Sequence, residues 1–100
     1  MGTRRASTKA RRAADAVRLE QIPNIGPSVA ADLRGIGITT PAQLKGKDGL
    51  ALYRRLNKVS GVRHDPCVAD TFMAAVNFMG GGKPAPWWAF TARRKLLLKK

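Results

Sequence analysis

The sequence predicts an all-α fold, a compact bundle of about five short helices. Apolar residues recur at three- and four-residue spacing through the middle of the chain, which is typical of amphipathic helices. Proline and glycine stand between those stretches, where they stop one helix and start the next. A length of 100 residues with 44% hydrophobic residues favours a single domain with one modest core.

Most of the net charge of +13 lies at the two ends of the chain. Residues 1–18 hold six Lys or Arg and one Asp, and residues 83–100 hold six Lys or Arg and no acid. We therefore expect a basic disordered tail over residues 1–12, a folded domain over 13–92 and a basic tail over 93–100. This charge favours nucleic acid or an anionic membrane surface as partner. The Arg-bearing, acid-poor start also suits an organelle transit peptide.

The first two predicted helices are joined by a tight turn. The first helix runs from about Ala13 to Gln21, and Pro23 stops it. Asn24 and Gly26 are residue types that tolerate positive φ, so the chain can reverse here. Pro27 suits the first position of the second helix, because its fixed φ already fits a helix.

The start of this second helix is a candidate anion site. The first turn of a helix has backbone N–H groups without intrahelical partners and carries the positive end of the helix dipole. Gly26 would let a phosphate approach the backbone without meeting a Cβ atom. The turn therefore predicts contact with phosphate.

A family resemblance rests on the segments IPNIGPSVAADL, DPCVADTFMAAVNFM and PWWAFT. The first resembles the helix-hairpin-helix motif, a SAM-like element of DNA-binding and repair proteins whose amides hold duplex phosphates. Together the segments resemble small bacterial helix-hairpin-helix proteins of the pathogenicity-locus and mitomycin-resistance family, related to the C-terminal domain of TfoX-type competence regulators. The resemblance spans roughly Leu19 to Arg94, and it implies phosphate contact at Asn24, Ile25, Gly26 and Ser28. Alternatively, the hairpin is a scaffold that joins two core helices.

A second glycine-marked turn follows at residues 35–38. Thr39 or Thr40 followed by Pro41 is a typical helix start, and the helix has room for one or two turns before Gly46. We predict a second, degenerate hairpin here. The amides near Gly37 and Thr39 are its candidates for phosphate contact.

The next predicted helix is amphipathic and runs from a cap at Asp48 to near Gly61. Its apolar face comprises Leu52, Tyr53, Leu56 and Val59, and its basic face comprises Arg54, Arg55 and Lys58. Two interpretations of the basic face stay open: a solvated outer surface, or a strip that faces phosphate.

The most apolar helix should form the centre of the core. Asp65 is its predicted N-cap, and Phe72 and Val76 lie in its apolar stripe. Asp70 is an acid within this stretch, and a buried unpaired carboxylate would be costly. We expect Asp70 either to lie on an exposed edge or to pair with a basic side chain from the hairpin.

His64 and Cys67 raise the possibility of thiol or metal chemistry at the start of that helix. The set is too small for a metal, because zinc sites use three or four protein ligands and the chain has one His and one Cys. We predict no catalytic residue, no metal, no cofactor and no enzymatic activity. A single cysteine, without a secretory signal or a membrane-spanning stretch, is compatible with the cytoplasm.

Three aromatic residues, Trp87, Trp88 and Phe90, fall within four positions near the end of the chain. They are expected to cap the core, because large aromatic side chains dominate burial in small domains. The alternative is base stacking beside Arg93, Arg94 and Lys95, as in single-strand binders. The three leucines at 96–98 would extend a short amphipathic helix suited to a membrane surface or a partner's groove.

The function predicted from these features is noncatalytic, sequence-independent binding of the DNA backbone. The resemblance implies an accessory role in DNA repair, competence or stress resistance. The alternative is a protein-interaction module whose hairpin is only scaffold. We expect duplex DNA as the partner and no membrane, and a protein partner stays open beside DNA.

Overall fold

The computed structural model describes residues 9–98, and within them every regular element is helical. The predicted all-α class is confirmed. Four α-helices form the frame: α1 (Pro27–Gly35), α2 (Gly49–Ser60), α3 (Cys67–Met79) and α4 (Thr91–Leu98). Single 3-10 turns at Ala13–Asp15, Leu19–Gln21, Pro41–Leu44 and Trp87–Phe90 connect or extend them.

The predicted helix over residues 13–21 is wrong, because the structure has two separate 3-10 turns there. The side chain of Gln21 explains the break. Its Oε1 accepts hydrogen bonds from the backbone N–H groups of Val17 and Arg18, both at 2.8 Å, so a side chain replaces the helical carbonyl partners. Residues 13–21 therefore lead into the hairpin turn, residues 22–26, without forming a continuous helix.

Local helix signals are confirmed in the middle of the chain. Pro27 opens α1, and Asp48 caps α2 through hydrogen bonds that its Oδ1 accepts from Leu50 N at 2.9 Å and Ala51 N at 3.3 Å. Gly61 ends α2 with a φ of 74°, in the left-handed region. Asp65 Oδ1 accepts from Cys67 N at 2.8 Å and so caps the start of α3.

The core lies between α2 and α3 and extends beneath the hairpin turn. Phe72 is fully buried, as predicted, whereas Val76 is only partly buried and Val59 is 60% exposed. The largest fully buried side chains are Tyr53, Phe72, Phe78, Leu19, Ile22, Ile25, Leu33 and Leu44. Three of these belong to residues 19–25, so the hairpin turn is an integral part of the core.

Both predicted tails overlap the folded domain. Ala10 is buried and its N–H donates to Gln21 O at 2.8 Å. Residues 93–98 belong to α4, whose Leu97 and Leu98 pack against the core, so the domain extends beyond the expected limits of 13 and 92. Residues 1–8, 99 and 100 of those tails lie outside the described residues.

Asp70 is buried, and its partner comes from α4 instead of the hairpin. Arg94 Nε donates to Asp70 Oδ1 at 2.8 Å, and Thr91 Oγ1 donates to Asp70 Oδ2 at 2.7 Å. The expected alternatives, an exposed edge or a pair with the hairpin, are therefore wrong. This ion pair joins α4 to the centre of the core.

Candidate nucleic-acid interface

The hairpin turn, residues 22–26, places open backbone at the start of α1. Asn24 has a φ of 76°, as its residue type indicated, and Ile25 N donates to Ile22 O at 3.0 Å. Gly26 precedes α1 in an extended conformation, and a Cβ atom added to it would meet nothing within 4 Å. The start of this nine-residue helix is thus accessible to an incoming anion.

The predicted contact residues of the hairpin turn differ in what they can offer. Ile25 is fully buried, and Asn24 Nδ2 donates to Ala85 O at 2.7 Å, so both side chains have structural roles. Ser28 is exposed in the first turn of α1, and Gly26 is half-buried. Contact with phosphate at this turn would therefore use backbone amides and Ser28.

Lys9 secures the hairpin turn, a role that the sequence did not indicate. Its Nζ donates to the carbonyl oxygens of Glu20 at 2.7 Å, Ile22 at 3.3 Å and Ile25 at 2.7 Å. Partial burial lowers the pKa of Lys9, and the negative charge of Glu20 acts in the opposite direction. No local pattern could reveal this contact, because the carbonyl groups lie 11 to 16 residues further along the chain.

An ion pair engages a second cation beside the turn. Arg34 of α1 donates from Nη1 to Glu20 Oε2 and from Nη2 to Glu20 Oε1, both at 3.0 Å. The hydrogen bonds from Arg34 lower the pKa of Glu20. Because Glu20 neutralises Arg34, the positive charge of the depression beside Gly26 comes from Lys9 and Arg18.

The second glycine-marked turn faces the basic side of α2 across an open groove. Gly37 has a φ of 93°, and Ile38 N donates to Leu33 O at 2.9 Å, which closes α1. The groove has a volume of about 920 Å³, and its charged lining comprises Lys47, Asp48, Arg54, Arg55 and Lys58. Because the four cations outnumber the single carboxylate, the groove has a positive potential.

Thr39 does not offer a free amide to a ligand. Its N–H donates to Gln43 Oε1 at 2.6 Å and its Oγ1 donates to the same atom at 3.0 Å. Gln43 thereby caps the 3-10 turn that follows. Gly37 remains an open backbone position, since a Cβ atom added to it would meet nothing within 4 Å.

The two basic depressions are distinct. The one beside Gly26 shares no lining residue with the groove beside Gly37. Helix α1 runs from one toward the other, and nine residues of α-helix span about 14 Å. The structure thus unites Gly37 with Arg54, Arg55 and Lys58, and keeps residues 24–28 as a separate element.

Residues 12–96 match the pathogenicity locus (Cdd1) family. This match covers most of the chain. The chain belongs to the pathogenicity locus family. It is also 44% identical over 84 residues to a mitomycin resistance protein, McrB, from Streptomyces lavendulae, a match that covers 84% of this chain and 80% of that protein. No solved structure matches the chain. The resemblance seen in the sequence is confirmed at the level of this family, whereas kinship with TfoX-type regulators stays a prediction.

In this member of the pathogenicity locus family, His64 is part of the packing between α2 and α3. Tyr53 OH donates to His64 O at 2.6 Å, and His64 N donates to Asn57 Oδ1 at 2.8 Å. The ring Nδ1 lies 3.0 Å from the same Asn57 oxygen. These bonds fix the turn between the two helices and give the residue a structural role.

The surroundings of Cys67 disfavour the thiolate form of its side chain. A hydrogen bond to the Asp65 carboxylate raises the pKa of the Cys67 thiol, and partial desolvation acts in the same direction. The thiol form therefore dominates at neutral pH. Among residues 9–98, no group of three or more His, Cys, Asp and Glu side chains is placed to hold a metal ion.

We expect Cys67 to react with iodoacetamide at pH 7 more slowly than N-acetylcysteine, because little thiolate is present. The Asp65→Asn variant should react faster than the native protein, since it removes the negative charge that disfavours the thiolate. Alkylation followed by mass spectrometry across a pH series measures both rates. A native rate above that of N-acetylcysteine would contradict the expectation.

The three aromatic residues near α4 are less buried than expected. Trp87 and Phe90 are half-buried, and Trp88 is 63% exposed. The predicted cap on the core is therefore partial. Arg94 is engaged by Asp70, so the exposed cations on this helix are Arg93 and Lys95.

The described part of the chain contains no candidate membrane-spanning helix. In residues 9–98, no helix combines the length and the apolar character that crossing a bilayer requires.

Proposed function

We propose that this pathogenicity locus protein binds DNA noncatalytically through the phosphate backbone. The observation that carries the proposal is the groove beside Gly37, where Lys47, Arg54, Arg55 and Lys58 converge on an open backbone turn. Cations and backbone amides without side-chain obstruction suit phosphate oxygens. Such contacts do not read base identity, so the proposed binding is independent of sequence.

The hairpin turn supplies a second proposed backbone contact. Its open position at Gly26, the exposed Ser28 and the dipole of α1 favour a phosphate at the helix start. Two contacts about 14 Å apart, the length of α1, would both fall on one stretch of DNA backbone. The basic residues at both ends of the sequence would add salt-dependent attraction.

As part of the same proposal, this chain would have an accessory role in DNA repair, competence or stress resistance. The relative's name refers to mitomycin resistance, and we extend that role to this chain as part of the proposal. A cytoplasmic protein without enzymatic activity would fit this role.

A protein-interaction module is the second candidate function. The burial of Ile25 and the hydrogen bond from Asn24 to Ala85 favour it, because both side chains of the hairpin turn then have structural roles. In that case the turn is scaffold, and DNA affinity would come only from the basic ends of the chain.

The test is fluorescence anisotropy with the full-length protein and two unrelated duplexes at two salt concentrations. We expect similar affinity for both duplexes and a steep loss with salt. Gly26→Glu should weaken binding by roughly tenfold or more, because a carboxylate at the open position repels phosphate. Its matched control, Gly26→Ala, should bind normally, since a Cβ atom has room there.

The groove is tested by Arg55→Gln and Lys58→Gln, each expected to reduce the salt slope by about one if that side chain neutralises a phosphate. Ala31→Glu places the same new charge as Gly26→Glu on an exposed position of α1 and serves as a second control. If Gly26→Glu and both groove variants bind like the native protein, the hairpin turn and groove are scaffold, and the interaction module becomes the better explanation.

A further inference from the structure

We infer that Trp88 stacks on an unpaired DNA base while the hairpin turn holds the backbone nearby. This inference rests on the proposed DNA binding and defines its substrate class. The preferred DNA would carry an unpaired base, as at an overhang, a gap or a lesion.

Trp88 is exposed, and a neighbouring ring supports it. Its side chain is 63% accessible to solvent, whereas Trp87 is half-buried. The centroids of the two indole rings are 5.6 Å apart and their planes meet at 86°, an edge-to-face arrangement. The contact favours one orientation of the Trp88 ring and leaves it accessible, as a stacking platform requires.

The charge around Trp88 suits a nucleic acid. Arg93 and Lys95 are exposed on α4, and residues 83–98 contain no acid. Both cations lie on the helix that directly follows the 3-10 turn of Trp88. A second copy of the chain would bring like charges together here, whereas phosphates would be attracted.

A hydrogen bond connects the aromatic segment to the hairpin turn. Asn24 Nδ2 donates to Ala85 O at 2.7 Å, and Ala85 precedes Trp88 by three residues. Three residues span at most about 11 Å, which is close to the axial rise of three nucleotides in one strand. This contact keeps the aromatic segment beside the hairpin turn, and the inference is that a strand held at Gly26 places one of its bases on Trp88.

Stacking on Trp88 would select DNA with an accessible base face. In a duplex the face of each internal base is covered by its neighbours, and exposing it costs a few kcal/mol. An overhang or a gap presents such a face without that cost. Base stacking on aromatic side chains tolerates all four bases, which agrees with sequence-independent contact along the backbone.

Leu96 allows a competing occupant. It is 67% exposed on α4, and Trp88 is exposed on the preceding 3-10 turn, so these two apolar side chains would also suit a helix from another protein. The absence of acids between residues 83 and 98 and the contact with the hairpin turn favour DNA. Leu96→Ala is therefore the matched control, because this substitution removes exposed apolar surface without removing an aromatic ring.

The experiment compares a blunt duplex with the same duplex carrying a short single-stranded overhang, using full-length protein. We expect tighter binding to the overhang DNA. Trp88→Ala should lower that affinity about 5- to 150-fold and change the affinity for the blunt duplex by less than about twofold. Trp88→Phe should retain most of the preference, and Leu96→Ala should retain all of it. Circular dichroism melting confirms that each variant is folded.

Fluorescence gives a direct readout of stacking. In the Trp87→Phe variant, Trp88 is the remaining tryptophan, because the chain has two. Overhang DNA should quench its emission strongly, and the blunt duplex should change it little. Equal quenching by both DNAs would overturn the inference.

The outcomes separate this inference from the proposed function. If duplex binding is intact and sensitive to Gly26→Glu, yet Trp88→Ala has no effect on overhang DNA, the inference is wrong and backbone binding stands. If Trp88→Ala and Leu96→Ala weaken binding to both DNAs equally, the two side chains make a general apolar contact and the inference is again wrong. If the protein binds no DNA, both proposals fail.

Discussion

Replacing Arg94 with methionine is expected to lower the free energy of unfolding by about 3 to 5 kcal/mol. Asp70 is fully buried, and the Arg94 side chain that neutralises it is only 12% exposed. Methionine fills a similar volume but leaves the carboxylate with the Thr91 hydroxyl alone. A buried charge without its counter-charge is among the most destabilising changes in a small domain.

Urea unfolding monitored by circular dichroism measures this effect. Arg93→Met makes the same chemical change at an exposed position on the same helix and should alter stability by less than about 0.5 kcal/mol. Adding Asp70→Asn to Arg94→Met should restore part of the loss, because the uncompensated charge is gone. Equal stability of the Arg93 and Arg94 variants would show that the ion pair is not required.

Gly49→Ala is expected to cost about 2 to 3 kcal/mol, the upper part of the usual range for overpacking. Gly49 opens α2 at the point where it crosses α3. A Cβ atom built there would lie 2.6 Å from Met73 N and 2.7 Å from Met73 Cα. Both atoms belong to the backbone of α3, so no rotamer change can relieve the overlap and the two helices must move apart.

Gly35→Ala is the matched control for Gly49→Ala. Gly35 is the last residue of α1, and a Cβ atom there would meet nothing within 4 Å. Alanine has the higher helix propensity, so Gly35→Ala should leave stability unchanged or raise it slightly. Thermal unfolding of both variants decides the matter. If the Gly49→Ala protein is as stable as the Gly35→Ala protein, then α2 and α3 can move apart at little cost in free energy.

The elements predicted correctly from the sequence are those that depend on neighbouring residues. Pro27, Asp48 and Gly61 set helix ends through bonds and dihedral angles within a few positions, so residue type alone indicated them. Residues 13–21 were predicted as helix because the pattern could not reveal that the Gln21 side chain would bind Val17 N and Arg18 N.

Contacts between distant residues explain the larger misses. The sequence marked Asp70 as needing a partner but could not identify Arg94, which lies 24 positions later. Lys9 was assigned to a tail, although its side chain donates hydrogen bonds to three carbonyl groups in residues 20–25. In both cases the basic residue belonged to a charge-rich end, where side chains are usually solvated.

The candidate site was predicted residue by residue but not as an arrangement. Gly37, Arg54, Arg55 and Lys58 were each named from sequence, and the structure brings them to one groove. Lys47 was missed because it stands in a loop without helical periodicity. Thr39 was named for its amide, which the side chain of Gln43 occupies. Only the three-dimensional arrangement separates the groove from the hairpin turn.

The Asp70 and Arg94 pair also bears on how the protein is made. During translation α3 is synthesised before α4, so Asp70 emerges from the ribosome 24 residues ahead of the guanidinium that neutralises it. Until then, docking α3 onto α2 would bury a carboxylate without a counter-charge, which is costly. We therefore expect the core to close only after α4 has been synthesised.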